Sequence, residues 1–266
     1  MLPDPMLEPG KRVAVVEAAR THAFDFYLSA LLAPRAARDD LIVLAAFEGE
    51  LDRIPVGVSE PMLAEIRLQW WRDAVGGFAG GAVSGNPIAD ALAHVVARHG
   101  IDPADLVRSI DARSPVETEA EALGIVDAGR LRRLATDAAA MRRAARVLGC
   151  VPLAADDGAF LDAAGLAVAS VRALVTKPSR ESDATAIEAN AEADLSGAAL
   201  AQLGAAVALL PGRSRALRLS ALPVALVRPY LRAWEKGRHA TPPRHAVILP
   251  LERVWRLWWL ARTGRV

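Results

Sequence analysis

Apolar residues recur at helical spacing along most of the chain, and no stretch sustains the period-two alternation of a strand. Leu44, Phe47 and Leu51 fall at i, i+3 and i+7, which predicts a helix over 35–54 with one apolar face. Glu48 and Asp52 stand four apart in it, so both carboxylates project from one face. Pro55 and Gly57 break the pattern. Ser59-Glu60-Pro61 restarts it, with Ser59 or Glu60 as N-cap and Pro61 in the first turn. In this next helix Leu63, Ile66 and Trp70 mark an apolar face, while Glu65, Gln69 and Arg72 share another.

The same reading predicts a helix over 12–33, striped by Phe24, Leu28, Leu31 and Leu32 and ended by Pro34. Glycine-rich 76–86 reads as a loop. Further helices are predicted over 87–99, 103–112, 117–148 (one interrupted or two), 160–175, 195–210, 223–236 and 250–262. Polar, acidic 179–194 is left open. No repeat is visible. The expectation is an all-α chain, with 1–11 a flexible lead-in and 12–266 a single domain.

Composition agrees: 53% of residues are hydrophobic and only 5% aromatic, which favours helices over sheets. A net charge of +1 excludes an overall electrostatic drive toward nucleic acid or acidic membranes. Basic residues do cluster locally, at Arg213, Arg215 and Arg218 and at Arg228, Arg232, Lys236 and Arg238. The single Cys150 allows no internal disulfide and is expected to be a buried, inert thiol. The first 12 residues contain no apolar signal core, so no secretory signal is expected. Residues 195–212 lack ionisable side chains but are interrupted by Ser196, Gly197, Gln202, Gly204 and Pro211, which favours a core helix over a membrane span. The expected location is cytoplasmic, with peripheral contact to the inner membrane left open. Leu251, Val254, Trp255, Trp258 and Trp259 form a stripe flanked by Arg253, Arg256 and Arg262; a closing core helix is expected, an interfacial membrane helix being the alternative. The five histidines show no metal spacing, and Gly76-Gly77 and Gly80-Gly81 lack the context of a phosphate-binding loop.

Four stretches carry a resemblance: Leu44-Ala45-Ala46-Phe47 ahead of the acidic pair, Ser59-Glu60-Pro61-Met62, Glu65-Ile66-Arg67-Leu68-Gln69-Trp70-Trp71-Arg72-Asp73, and Leu222-Pro223. Together they resemble the squalene/phytoene synthase family, nearest to its branch containing a mitochondrial complex I assembly factor and bacterial relatives. The resemblance implies an isoprenoid-synthase-type helical bundle around a central cavity. It also implies two facing aspartate-rich motifs that hold Mg²⁺ on prenyl diphosphates. Mg²⁺ requires hard oxygen ligands, carboxylates and phosphates above all.

Both motifs depart from the family pattern. The first reads Glu48-Gly49-Glu50-Leu51-Asp52-Arg53-Ile54-Pro55-Val56, with Arg53 and Val56 in the places of aspartates. Glu48 and Asp52 remain candidates as catalytic carboxylates or weak metal ligands; the expected alternative is that they pair with Arg53 or Arg67. The second motif helix runs from Gly165 to Pro178 with no acidic residue. Glu181, Asp183, Glu188, Glu192 and Asp194 are expected to lie on a solvated loop. Arg53, Arg67, Gln69, Trp71 and Arg72 are candidates to bind an anionic head group, guanidinium being suited to phosphate; packing between helices is the competing expectation. The resemblance therefore implies a non-catalytic protein supporting respiratory complex I assembly. Its partner would be a respiratory subunit or assembly protein, and it would need no cofactor. The competing readings are an active Mg²⁺-dependent head-to-head prenyl transferase in squalene, hopanoid or phytoene synthesis, and a prenyl or lipid carrier.

Overall fold

A computed structural model of the chain describes residues 8–56, 61–81, 83–115, 128–176, 186–238 and 247–266. The protein is all-α, with no strand among the described residues. Its helices are α1 Pro9–His22, α2 Phe24–Leu31, α3 Arg35–Val56, α4 Pro61–Gly77, α5 Pro87–His99, α6 Pro103–Asp111, α7 Ala128–Val147, α8 Ala155–Val175, α9 Ala186–Leu209, α10 Arg215–Ser220, α11 Val227–Arg238 and α12 Pro250–Thr263. Short 3₁₀ turns cover Phe78–Gly80 and Leu222–Leu226. Two compact units divide the chain, Met1–Gly149 and Cys150–Val266.

In the first unit α3 is the hub, packed by α1, α2, α4, α5 and α7. It is buried at every position from Asp40 to Gly49 and again at Leu51 and Ile54, which is more than the single apolar face expected. The expected helix over 12–33 is two helices, because Ala23 leaves helical geometry at φ −137° and ψ 49°. Nor do its large residues form the core. Val15, Ala19, Ala23, Ala30 and Ala33 are buried, whereas Leu31 is 38% exposed. Small residues win here because α3 approaches closely at Gly49. A Cβ on Gly49 would stand 2.8 Å from the His22 Cβ and 3.1 Å from its carbonyl carbon. Gly49→Ala must push a helix junction aside, so it is expected to lower stability by about 1–3 kcal/mol. An unchanged thermal midpoint would contradict that close approach.

Other boundaries shift for local reasons. Helix α1 starts at Pro9, ahead of the expected Arg12, with proline in its first turn. Pro55 lies inside the last turn of α3 instead of ending it. The proposed caps Ser59 and Glu60, with Gly57, lie outside the described residues. Helix α5 matches its expected span: Asn86 accepts from the Ile88 and Ala89 amides, and Gly100 closes it at φ +59°.

In the second unit α8 and α9 form the most extensive helix pair. Helix α8 is long and apolar enough to cross a membrane by length and composition, yet 67% of that window is buried within the protein. It is a core helix. Helix α9 begins at Ala186, which places Glu188, Glu192 and Asp194 on a helix and not on the expected loop; Glu181 and Asp183 lie outside the described residues. The expected helix over 223–236 splits into a 3₁₀ turn followed by α11, and α10 was not expected at all. Cys150 is half-buried. Burial raises its thiol pKa, a Ser214 hydrogen bond opposes this, and the Asp157 charge adds to the rise. A thiol so disposed is a poor nucleophile. Helix α12 corrects the core-helix expectation for the tryptophan stripe. Leu257, Leu260 and Ala261 face inward, while Leu251, Val254, Trp255, Trp258 and Trp259 are exposed.

Candidate functional site

Helix α3 presents Glu48 and Asp52 one turn apart, and both meet arginines that are remote in sequence. Arg113, just beyond α6, donates from Nη2 to Glu48 Oε2 at 2.7 Å. It also donates to Asp52 Oδ1 from Nε at 2.9 Å and from Nη2 at 2.8 Å. Its remaining nitrogen, Nη1, donates to the Ser109 carbonyl at 2.9 Å. Arg143 of α7 donates from Nη2 to the other Glu48 oxygen and to Ser109 Oγ. Glu48, Arg113 and Arg143 are each at least 95% buried at the side chain, and Asp52 is 29% exposed. Two carboxylates and two guanidiniums sum to no net charge. Each Glu48 oxygen already accepts a charge-assisted hydrogen bond.

The expected partners of these carboxylates were Arg53 and Arg67, and that is corrected. Arg53 points outward and pairs with Glu50 at 2.7 Å, while Arg67 is exposed on α4. Helical geometry explains Arg53: it is adjacent to Asp52 and therefore about 100° away around the helix.

A second cluster adjoins the first through residues 109–114. Arg72 of α4 donates from Nε to Asp111 Oδ1 and from Nη1 to Glu65 Oε1, each at 2.7 Å. Ser114 Oγ donates to Glu65 Oε2 at 2.8 Å. Gln69 accepts from Arg72 at 3.1 Å and donates to Asp73 at 2.8 Å. Trp71 is buried edge-on against Phe47, ring centroids 5.4 Å apart. Of the candidate head-group binders, Arg72 and Gln69 thus join a side-chain network with Glu65, Asp73 and Asp111 and Trp71 joins the core, while Arg53 and Arg67 stand apart from both clusters. The turn after α6 therefore ties α3 to α4, one arginine or carboxylate on each side.

The second cluster has a pH signature. Burial works to raise the Glu65 pKa, but hydrogen bonds from Ser114 and Arg72 and the Arg72 charge outweigh it, so Glu65 sits below its ordinary 4.5. Burial likewise works to lower the Arg72 pKa and is outweighed by Asp111 and Glu65. A depressed carboxylate pKa stabilises the fold fully above the unfolded value, and that contribution is lost as pH falls through the folded one. The stability gap between the native chain and Glu65→Gln is therefore expected to be constant above pH 5.5, roughly one unit over the unfolded value, and to shrink below 4.5. Urea titrations across that range test it; a gap independent of pH would contradict the pairing.

Arg113 and Arg143 were missed in the sequence. Arg143 did leave a signal: Thr136, Ala140, Arg143 and Val147 lie on one buried stripe of α7 at i, i+4, i+7 and i+11. A charge in an apolar register implies a buried partner. Among the described residues, no group of three or more His, Cys, Asp or Glu side chains is placed to hold a metal ion.

Comparison with known proteins gives a family match and several relatives. A squalene/phytoene synthase profile matches residues 19–152, half of the chain, and every residue of both clusters lies inside that span. Similar proteins include NADH dehydrogenase (ubiquinone) complex I, assembly factor 6 of Mus musculus, 30% identical over 105 residues, 40% of this chain and 32% of that protein. The Bos taurus protein of that name is 32% identical over 98 residues, 37% of this chain and 29% of its own. The Homo sapiens protein is 30% identical over 98 residues, with the same two shares. The matched stretch thus spans about a third of those relatives.

Proposed function

The chain belongs to the squalene/phytoene synthase family, and from that premise we propose that it is a member without prenyl-transfer chemistry, supporting respiratory complex I assembly through a protein partner. One observation carries the first half: Arg113 and Arg143 between them hold both Glu48 oxygens, and Arg113 also holds Asp52 Oδ1. Mg²⁺ is held by anionic oxygens and keeps near-ideal octahedral geometry. A site already neutralised by two guanidiniums offers the ion no net negative charge, and these residues do not fit it. The helix expected to carry the second motif supports the reading, since α8 buries Ala167, Val168, Ala169, Ser170 and Val171 where carboxylates would stand. The assembly half rests on the relatives, which are named as complex I assembly factors. The proposed site of action is the cytoplasm, at the membrane that carries the complex.

Calorimetry of the full chain with farnesyl or geranylgeranyl diphosphate, with and without Mg²⁺, tests the chemical half. No Mg²⁺-dependent binding and no released diphosphate are expected; release would overturn it. Binding without Mg²⁺ or turnover would indicate a carrier. Deleting the gene in its host tests the assembly half. Less assembled complex I on native gels is expected, and an unchanged amount would sink that half alone.

A further inference from the structure

We propose that the outward face of α12 is a membrane-docking surface that seats on an anionic lipid bilayer. Its exposure is unusual for its composition: Leu251 is 85% exposed, Trp255 56%, Trp258 43% and Trp259 40%. These positions fall within one arc of the helix, opposite the inward Leu257 and Leu260, so the helix is apolar on both sides. The three indoles form one slab, Trp255 lying 5.4 Å from both Trp258 and Trp259 with interplanar angles of 28° and 33°. Val247 and Leu249, both about 70% exposed, extend the apolar surface ahead of the helix.

Charge selects the occupant. Residues 213–266 hold 12 of the 32 lysines and arginines but only 2 of the 31 acidic residues. The net +1 of the whole chain hides this segregation, because the acidic excess lies in the preceding part. Arg262 stands four residues beyond Trp258, on the same arc, and Arg265 follows it; both are exposed. Arg218 of α10 lies against Gly264 at this same end of α12. Tryptophan suits the headgroup level of a bilayer, where its ring is buried and its N–H stays wet. Arginines at the rim of such a face meet lipid phosphates. An exposed apolar slab with cations at one end and few acids near fits anionic lipid better than an acid-balanced protein surface. This inference stands independently of the assembly role.

The test is flotation of the full chain with vesicles of phosphatidylcholine alone and of phosphatidylcholine mixed equally with phosphatidylglycerol. Binding to the anionic vesicles only is expected, with a blue shift of tryptophan emission. Trp255→Ala/Trp258→Ala should weaken binding by about tenfold or more. Arg262→Ser/Arg265→Ser, which leaves the apolar face intact, should weaken it roughly fivefold per arginine and flatten its salt dependence. Failure to float with either vesicle overturns the proposal, as does equal binding by both variants. Concentration-dependent dimerisation that the tryptophan variant abolishes, without vesicle binding, would assign the face to a second copy and also overturn it.

Discussion

Arg143→Met is expected to destabilise the first unit by about 3–5 kcal/mol, the cost of breaking a buried ion pair from one side. Glu48 stays buried when its partner goes, and Arg113 alone must then balance Glu48 and Asp52. The quartet passes from neutral to a net negative charge inside the fold, where desolvation dominates. Methionine preserves most of the volume of the arginine stem, so the loss reports charge and not a cavity. Glu48→Gln in the same background removes the uncompensated charge and should restore a good part of the stability. That recovery is the informative reading, since a double-mutant cycle isolates the coupling. Urea denaturation of the four chains suffices. A neutral Arg143→Met, or a double variant no better than the single one, would show that the two charges do not depend on each other. The outcome also bears on function, because a carboxylate that requires an internal guanidinium is not available to a metal ion.

Local pattern revealed some of this architecture and was blind to the rest for identifiable reasons. The α3 helix was legible because Leu44, Phe47 and Leu51 are large and regularly spaced. The α4 face was not. Leu63, Ile66 and Trp70 mark an apolar face in the sequence, but they are 49%, 59% and 40% exposed, and the core is reached by Ala64, Leu68, Trp71 and Val75. Helix α4 is apolar around much of its circumference, so periodicity admits two registers and only tertiary packing chooses. The buried quartet was invisible for another reason. Glu48 meets partners 65 and 95 residues away, and no local window relates such positions. That Glu48 and Asp52 act together was readable from their four-residue spacing; what they act with was not.

The neighbouring tryptophans of α4 should give opposite results. Trp71→Ala is expected to cost about 3–5 kcal/mol, the range for a fully packed aromatic ring. Trp71 is 4% exposed and meets the buried Phe47 edge-on at an interplanar angle of 69°, so its removal opens a void between α3 and α4. Trp70→Ala should cost less, roughly 1 kcal/mol, because Trp70 packs on Trp71 but is 40% exposed. Thermal or urea unfolding of the two variants separates them. Equal effects would show that the α4 register is wrong. A Trp71→Ala chain of native stability would return Trp71 to the ligand-binding role that the family resemblance implies. The expected asymmetry has a consequence for the segment Glu65 to Asp73. Leu68 and Trp71 hold α4 to the core, and Glu65 and Arg72 hold the turn after α6. Each of these residues has a packing or pairing role that is independent of catalysis, so the segment can persist in a chain that reads Arg53 and Val56 where the family resemblance implies aspartates.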